Sequence, residues 1–88
     1  MSEVILDERG RLCPLPVIAL ARAARDLAAG QIITVVADDP AAEYDIPAWC
    51  LMRGHRFLDR SQWPAGGVAY RVELNAGDNS SATANNSK

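Results

Sequence analysis

Lysine is almost absent from this chain of 88 residues, in which the only lysine is the final residue, Lys88. Every other cationic side chain is an arginine, and the formal net charge is −2 at pH 7. A chain with a net negative charge lacks the excess of basic residues that is typical of nucleic-acid-binding proteins. We therefore expect no direct binding of nucleic acid.

Long apolar runs are also missing, and the N-terminal segment already contains the acids Glu3, Asp7 and Glu8. Such a segment predicts neither a signal peptide nor a membrane anchor. Two cysteines are present, Cys13 and Cys50, and free thiols are the default in a reducing cytosol. We expect a cytoplasmic protein that has no disulfide, does not enter a membrane and works as a monomer.

Large hydrophobic residues are absent after residue 75, where the chain consists of Ala, Gly, Ser, Thr, Asn, Asp and one Lys. A segment of this composition has almost no apolar surface to bury. We expect one domain at residues 1–75, followed by a disordered tail at residues 76–88. The hydrophobic fraction of 49% suits a single compact core.

Hydrophobic periodicity and the positions of glycine and proline predict six elements. The apolar repeat at three- and four-residue spacing after Val17 predicts a helix that Gly30 closes. A second helix follows Pro40, and we expect Pro47 to interrupt it, because proline removes a backbone donor and clashes with the preceding turn. The predicted strands are 3–8, 31–37, 56–63 and 68–74, and the predicted helices are 17–29 and 41–53.

The element order β-α-β-α-β-β indicates the fold class. A helix between the first two strands makes those strands parallel neighbours, and the turn residues 64–67 join the last two strands as a hairpin. We therefore predict an α+β fold, a two-layer α/β sandwich in which a four-stranded mixed sheet carries two helices on one face.

Cys13 falls where the end of a strand meets the start of the first helix, just before Pro14. The helix dipole and unpaired N–H groups there favour a thiolate or persulfide anion, so we expect a lowered thiol pKa. We assign Arg9 and Arg11 to the same stabilising role, if their side chains turn toward the sulfur, and Pro14 to stiffening the segment. The residues alone leave a second interpretation open, in which Cys13 is a small buried hydrophobic residue.

Cys50 lies late in the second helix, which begins at the edge of the sheet that carries Cys13 and runs away from it. We expect a core thiol that is too distant from Cys13 for a disulfide. His55 lies beyond the same helix, so we expect a structural histidine rather than a catalytic base, and no metal site. Asp39 is predicted to cap the second helix, and Asp38 to contact a partner.

Three motifs of this sequence resemble those of the TusA/SirA-like sulfur carriers, in the order and at the spacing of that family. Together they span most of the predicted domain. They are residues 6–17 (Leu-Asp-x-x-Gly-x-x-Cys-Pro-x-Pro-Val), 37–41 (Ala-Asp-Asp-Pro-Ala) and 45–55 (Asp-Ile-Pro-Ala-Trp-Cys, then Gly-His).

The resemblance implies that the cysteine of the CPxP motif, here Cys13, holds sulfur as a covalent persulfide, with no other cofactor. It also implies a cysteine desulfurase or a rhodanese-type sulfur donor, and a downstream sulfur-acceptor protein. Family acceptors serve tRNA thiolation, molybdenum-cofactor enzymes and related sulfur metabolism. Such a protein is a sulfurtransferase or sulfur carrier rather than a free-standing turnover enzyme.

The sequence departs from this family at positions that help a carrier to dock on its partners. Leu15 stands where relatives often carry glutamate between the two prolines, and only Arg22 remains of the basic residues found about two turns into the first helix. We assign Leu15, Pro16, Arg22 and Asp38 as candidates for docking a partner protein.

Two other functions are compatible with the residues. A non-catalytic regulatory or interaction module, with RNA as a conceivable contact, would keep its function after Cys13→Ser. A redox sensor would form sulfenic acid or a mixed disulfide on Cys13. A sensor usually has a resolving cysteine nearby, and Cys50 is expected to be distant.

Overall fold

The computed structural model describes residues 3–75, and they form the six predicted elements in the predicted order. The predicted tail at residues 76–88 lies outside the described residues. No helix within residues 3–75 is long and apolar enough to cross a membrane. The elements are β1 Glu3–Asp7, α1 Leu15–Arg25, β2 Ile32–Ala37, α2 Ala42–Arg53, β3 Arg56–Gln62 and β4 Val68–Glu73.

The four strands form one mixed sheet in the order β1-β2-β4-β3. β1 and β2 are parallel, with Asp7 opposite Val36, so the chain leaves both strands at the same edge of the sheet. β4 is antiparallel to β2 and to β3, and the register of the β3–β4 pair shifts between Phe57 and Asp59. Both helices lie on one face, which confirms the predicted two-layer α+β sandwich.

The core lies between the sheet and the two helices. Residues 33–37 of β2 are all buried, as expected for a strand rich in β-branched residues with neighbours on both sides. Leu20 and Ala24 of α1 and Ile46 and Trp49 of α2 join the same cluster. Because residues three and four apart share one helix face, these positions direct one side of each helix to the sheet.

α1 is shorter than predicted. The helix ends at Arg25, because the N–H groups of Asp26 and Leu27 donate to carbonyls three residues back and tighten the last turn. Gly30 does not close the helix. It has a φ of +92°, and its N–H donates to the carbonyl of Leu74 at 2.6 Å, so this glycine joins the chain to the end of β4.

α2 is continuous through Pro47, so the predicted interruption is wrong. Proline at this position removes one backbone donor, whose helical acceptor would be the carbonyl of Glu43, an exposed residue that water can reach. Ile46 and Trp49, on either side of the proline, are buried. Their packing offsets the lost hydrogen bond. Gly54 ends the helix in the left-handed conformation, directly after residue 53, the predicted last residue.

Candidate functional site

Cys13 lies at the edge of the sheet where β1 and β2 both end, just before α1. Its backbone N–H donates a hydrogen bond of 2.7 Å to Oδ2 of Asp39. The other oxygen of Asp39 accepts the N–H of Ala41 at 3.0 Å. Asp39 thereby caps the turn that leads into α2 and joins the start of one helix to the start of the other.

The loops after β1 and β2 are tied together beside Cys13. Both carboxylate oxygens of Asp38 accept the N–H of Gly10, at 3.0 and 3.1 Å. Pro14 is exposed at the N-terminal cap of α1, and the Cys13–Pro14 peptide bond is cis. Asp38 therefore fixes the loop that presents Cys13, while its side chain stays accessible from solvent.

The thiol of Cys13 is half-buried and lies beside acidic groups. Burial, a hydrogen bond to the Asp45 carboxylate and the negative charges of Asp45 and Asp39 raise the pKa of Cys13 to about 11. The expectation of a lowered pKa is therefore wrong, because burial, together with carboxylates that follow β2, outweighs the positive end of the α1 dipole. The resting thiol carries its proton at neutral pH.

The two arginines that were assigned to the sulfur bind other groups. Arg9 donates to both oxygens of Asp7, at 2.8 and 2.6 Å, and to the Ala65 carbonyl at 3.2 Å. Hydrogen bonds from Arg9 hold the pKa of Asp7 down at about 2. Arg11 pairs with Glu8, at 3.9 Å. The predicted stabilising role is wrong for both arginines, because the carboxylates of Asp7 and Glu8 pair with their guanidinium groups.

Three of the four docking candidates are accessible and one is not. Leu15, Arg22 and Asp38 are exposed, whereas Pro16 is fully buried. Pro16 lies on the same helix face as Leu20, four residues later, and this face packs on the sheet. Pro16 therefore belongs to the core and cannot dock a partner.

Two apolar surfaces adjoin Cys13. The first consists of exposed side chains on α1 and on the loop before it, with Leu12 exposed by 73%, Leu15 by 45% and Ile18 by 41%. The second is a groove of about 260 Å³ between α1 and α2, in which Asp45 is the one charged lining residue. The groove is lined by Pro14, Val17, Asp45, Ala48, Trp49 and Met52.

Sequence reasoning did not identify Asp45 or the groove. Asp45 lies in the first turn of α2, which follows β2. The available signal was topological: α1 and α2 both follow strands that end at one edge of the sheet, so an acid in the first turn of α2 lies near Cys13. In the sequence analysis Asp45 appears only within the third motif of the family resemblance.

The remaining candidates form part of the core. Cys50 is buried, is not in a disulfide, and burial raises its pKa to about 11. The ring of His55 lies 4.9 Å from that of Trp49, and its Nδ1 accepts the N–H of Asn75 at 3.3 Å. Both residues thus have the structural surroundings that the sequence predicted. Within residues 3–75, no group of three or more His, Cys, Asp or Glu side chains is arranged to hold a metal ion.

A small α+β domain that presents one accessible cysteine at the start of a helix, next to exposed apolar surfaces, has the features of a carrier protein. A profile of the family described as Sulfurtransferase TusA matches residues 4–74. The chain therefore belongs to the TusA family of sulfur carriers.

Individual relatives agree with this assignment. The chain is 38% identical over 74 residues to the sulfur carrier protein TusA of Pseudomonas paraeruginosa, covering 84% of this chain and 92% of the relative. It is 39% identical over 74 residues to that of Pseudomonas putida, covering 84% and 91%. The crystal structure of a SirA-like protein from Desulfitobacterium hafniense has the same fold, with a TM-score of 0.72 at 22% identity, over 82% of this chain and 97% of that chain.

Proposed function

We propose that the protein carries sulfane sulfur as a persulfide on Cys13, takes it from a cysteine desulfurase or a rhodanese-type donor and passes it to an acceptor protein. It does so as a cytoplasmic monomer, in tRNA thiolation, molybdenum-cofactor or related sulfur metabolism. The accessibility of Cys13 carries this proposal, because the other cysteine, Cys50, is buried. Membership of the TusA family supports it.

The transfer is an exchange between a thiol and a persulfide. The Cys13 sulfur attacks the terminal sulfur of the donor persulfide, so that the donor S–S bond breaks and a new S–S bond forms on Cys13. Cys13 gives up its proton, and the donor leaves as a thiolate that takes up a proton. The oxidation level of the transferred sulfur does not change. Delivery repeats the exchange, with Cys13 as the leaving group.

The surroundings of Cys13 suit a step that takes place within a complex. The Asp39 carboxylate fixes the backbone of Cys13 against the start of α2. The exposed side chains of Leu12 and Leu15 offer apolar area to a docked protein. The partner then supplies the groups that activate the sulfur.

Most arginines in the described part of the chain are paired with carboxylates, which disfavours the RNA-contacting alternative. Within residues 3–75, arginine side chains form five ion pairs with carboxylates. These pairs are Arg9–Asp7, Arg11–Glu8, Arg56–Glu73, Arg60–Glu43 and Arg71–Asp59.

The test is sulfur loading measured by intact mass. The reduced protein is incubated with a cysteine desulfurase plus cysteine, or with a rhodanese plus thiosulfate. We expect the wild type to gain the mass of one sulfur atom, and a reductant to remove it. Cys13→Ser should gain nothing, whereas Cys50→Ala, which keeps the core apolar, should load like the wild type.

Two results would overturn the proposal. One is a wild type that gains no sulfur from either donor system. The other is a gain of sulfur that persists in Cys13→Ser. Either result would favour the non-catalytic interaction module.

A further inference from the structure

Two carboxylates and one phenol interact electrostatically with the Cys13 thiol. Asp45 lies in the first turn of α2, Asp39 lies in the turn before it, and Tyr70 lies in β4. Burial raises the pKa of Tyr70, so the phenol is uncharged at neutral pH. The charges that face the sulfur from these elements are therefore negative.

Cationic groups near this edge are engaged elsewhere. Arg9 binds Asp7, and Arg60, which hydrogen-bonds Tyr70, pairs with Glu43 at 3.2 Å. Neither guanidinium group offsets the two carboxylates beside Cys13. A molecule that approaches the sulfur consequently meets an acidic environment.

Asp39 and Asp45 differ in their other contacts. Asp39 accepts two backbone N–H groups, from Cys13 and Ala41, which lower its pKa and hold it in the framework of the fold. Asp45 instead lines the open groove beside Pro14, the residue that follows Cys13. Asp45 is thus the carboxylate near Cys13 that faces an incoming molecule in the groove.

Resting on the carrier function proposed above, we propose that Asp45 is a positioning residue that selects partners with a cationic group beside their reactive sulfur. A bound cation neutralises the Asp45 carboxylate, so that the thiol loses its proton within the complex. The same cation stabilises the Cys13 thiolate when it leaves during delivery. A partner that presents an anionic group beside Asp45 is disfavoured both as a donor and as an acceptor of sulfur.

The groove indicates what kind of side chain supplies the cation. Apart from Asp45 its lining is apolar, including Val17, Ala48 and Met52. An arginine or lysine of the partner fits such a groove, because its aliphatic stem covers apolar surface while its charged head reaches a carboxylate. The occupant that we assign to the groove is therefore an arginine or lysine side chain of the sulfur donor or acceptor.

The test uses three small disulfides that differ in charge: cystamine (cationic), 2-hydroxyethyl disulfide (neutral) and dithiodiglycolate (anionic). In each reaction the Cys13 thiolate attacks one sulfur, a mixed disulfide forms on Cys13, and half of the reagent leaves as a thiolate. Intact mass follows the mixed disulfide with time. Each rate is divided by the rate of the same reagent with a neutral cysteine peptide, which removes differences in intrinsic reactivity.

In the wild type we expect cystamine to react about fivefold faster than the neutral disulfide, and dithiodiglycolate about fivefold slower, as one unit charge near 4 Å produces in water. In Asp45→Asn the three normalised rates should converge, and the pH profile with the neutral disulfide should move to lower pH. Glu43→Gln removes one charge from the same turn of α2 and should keep the wild-type order. Asp45→Glu should restore part of the preference.

Thermal unfolding shows that each variant is folded before its rates are compared. Equal charge preference in the wild type and Asp45→Asn, or the same loss of preference in Glu43→Gln, would overturn the role of Asp45. If either outcome occurs while the wild type still gains sulfur from its donor, the carrier function stands and only the role of Asp45 is refuted. If the wild type gains no sulfur but keeps its charge preference, the carrier function is overturned and the effect of Asp45 on the thiol remains.

Discussion

The two cysteines have thiols whose pKa is raised to about 11, but the causes differ. Cys50 is buried in α2, and burial is the cause of its shift. Cys13 lies at the surface edge of the fold, where burial is joined by a hydrogen bond and negative charge from Asp45 and by the charge of Asp39. The Cys50 thiol is protected because reagents cannot reach it, whereas the Cys13 thiol is accessible but its ionisation is opposed by partial burial and by neighbouring carboxylates.

This difference matters for function because charge is easier to change than burial. Exposing Cys50 requires α2 to leave the core, whereas the charge beside Cys13 changes when a partner places a cation there. A carrier gains from such an arrangement, since a thiol that stays protonated between encounters resists adventitious oxidation.

The largest expected difference is in the rate of alkylation. Cys13 should react with N-ethylmaleimide in the folded protein. Cys50 should react more slowly by a factor of about a thousand or greater, because the reagent reaches it only when the core opens. Peptide mass mapping after timed quenching measures both sites in one sample. Denatured protein, in which both cysteines react, is the control. Comparable rates at the two cysteines in the folded protein would show that α2 opens readily, and would contradict the statement that burial protects Cys50.

A smaller difference is expected in stability. Cys50→Ser buries a hydroxyl among apolar neighbours and should lower the free energy of unfolding by about 1–3 kcal/mol. Cys13→Ser should change it by less than about 0.5 kcal/mol, as is usual at accessible positions. Urea denaturation measures both, and Cys50→Ala separates the effect of the hydroxyl from that of lost volume. Equal losses in the two serine variants would refute the assignment of Cys50 to the core.

The smallest expected effect is the pH dependence that Asp39 contributes. Hydrogen bonds from the N–H groups of Cys13 and Ala41 hold the pKa of Asp39 below its ordinary value of 3.8. The ionised carboxylate therefore adds stability above pH 3.8, and this contribution is lost as the pH falls through the lower folded value. Thermal unfolding of the wild type and Asp39→Asn should differ at neutral pH and converge in acid. A difference that grows in acid would contradict this assignment.

Much of the fold was predictable because its signals are local. Glycine and proline mark the ends of most elements, and the order of strands and helices restricts the topology through the handedness and adjacency of parallel strands. The errors at Gly30 and Pro47 have one cause, since each residue was interpreted by its local preference. In the fold, Gly30 is bound by the distant Leu74, and Pro47 is held in α2 by the burial of its neighbours.

The sequence by itself determined the fold class, the family and the position of Cys13 at the start of α1, because periodicity, turn residues and motif spacing are properties of short segments. The tertiary structure decided the electrostatic state of that cysteine. Arg9 turns to Asp7 and Ala65, while Asp39 and Asp45 reach Cys13 from a separate segment of the chain. Which charges meet at the sulfur depends on how two loops and two helix starts pack together, and no local pattern specifies that packing.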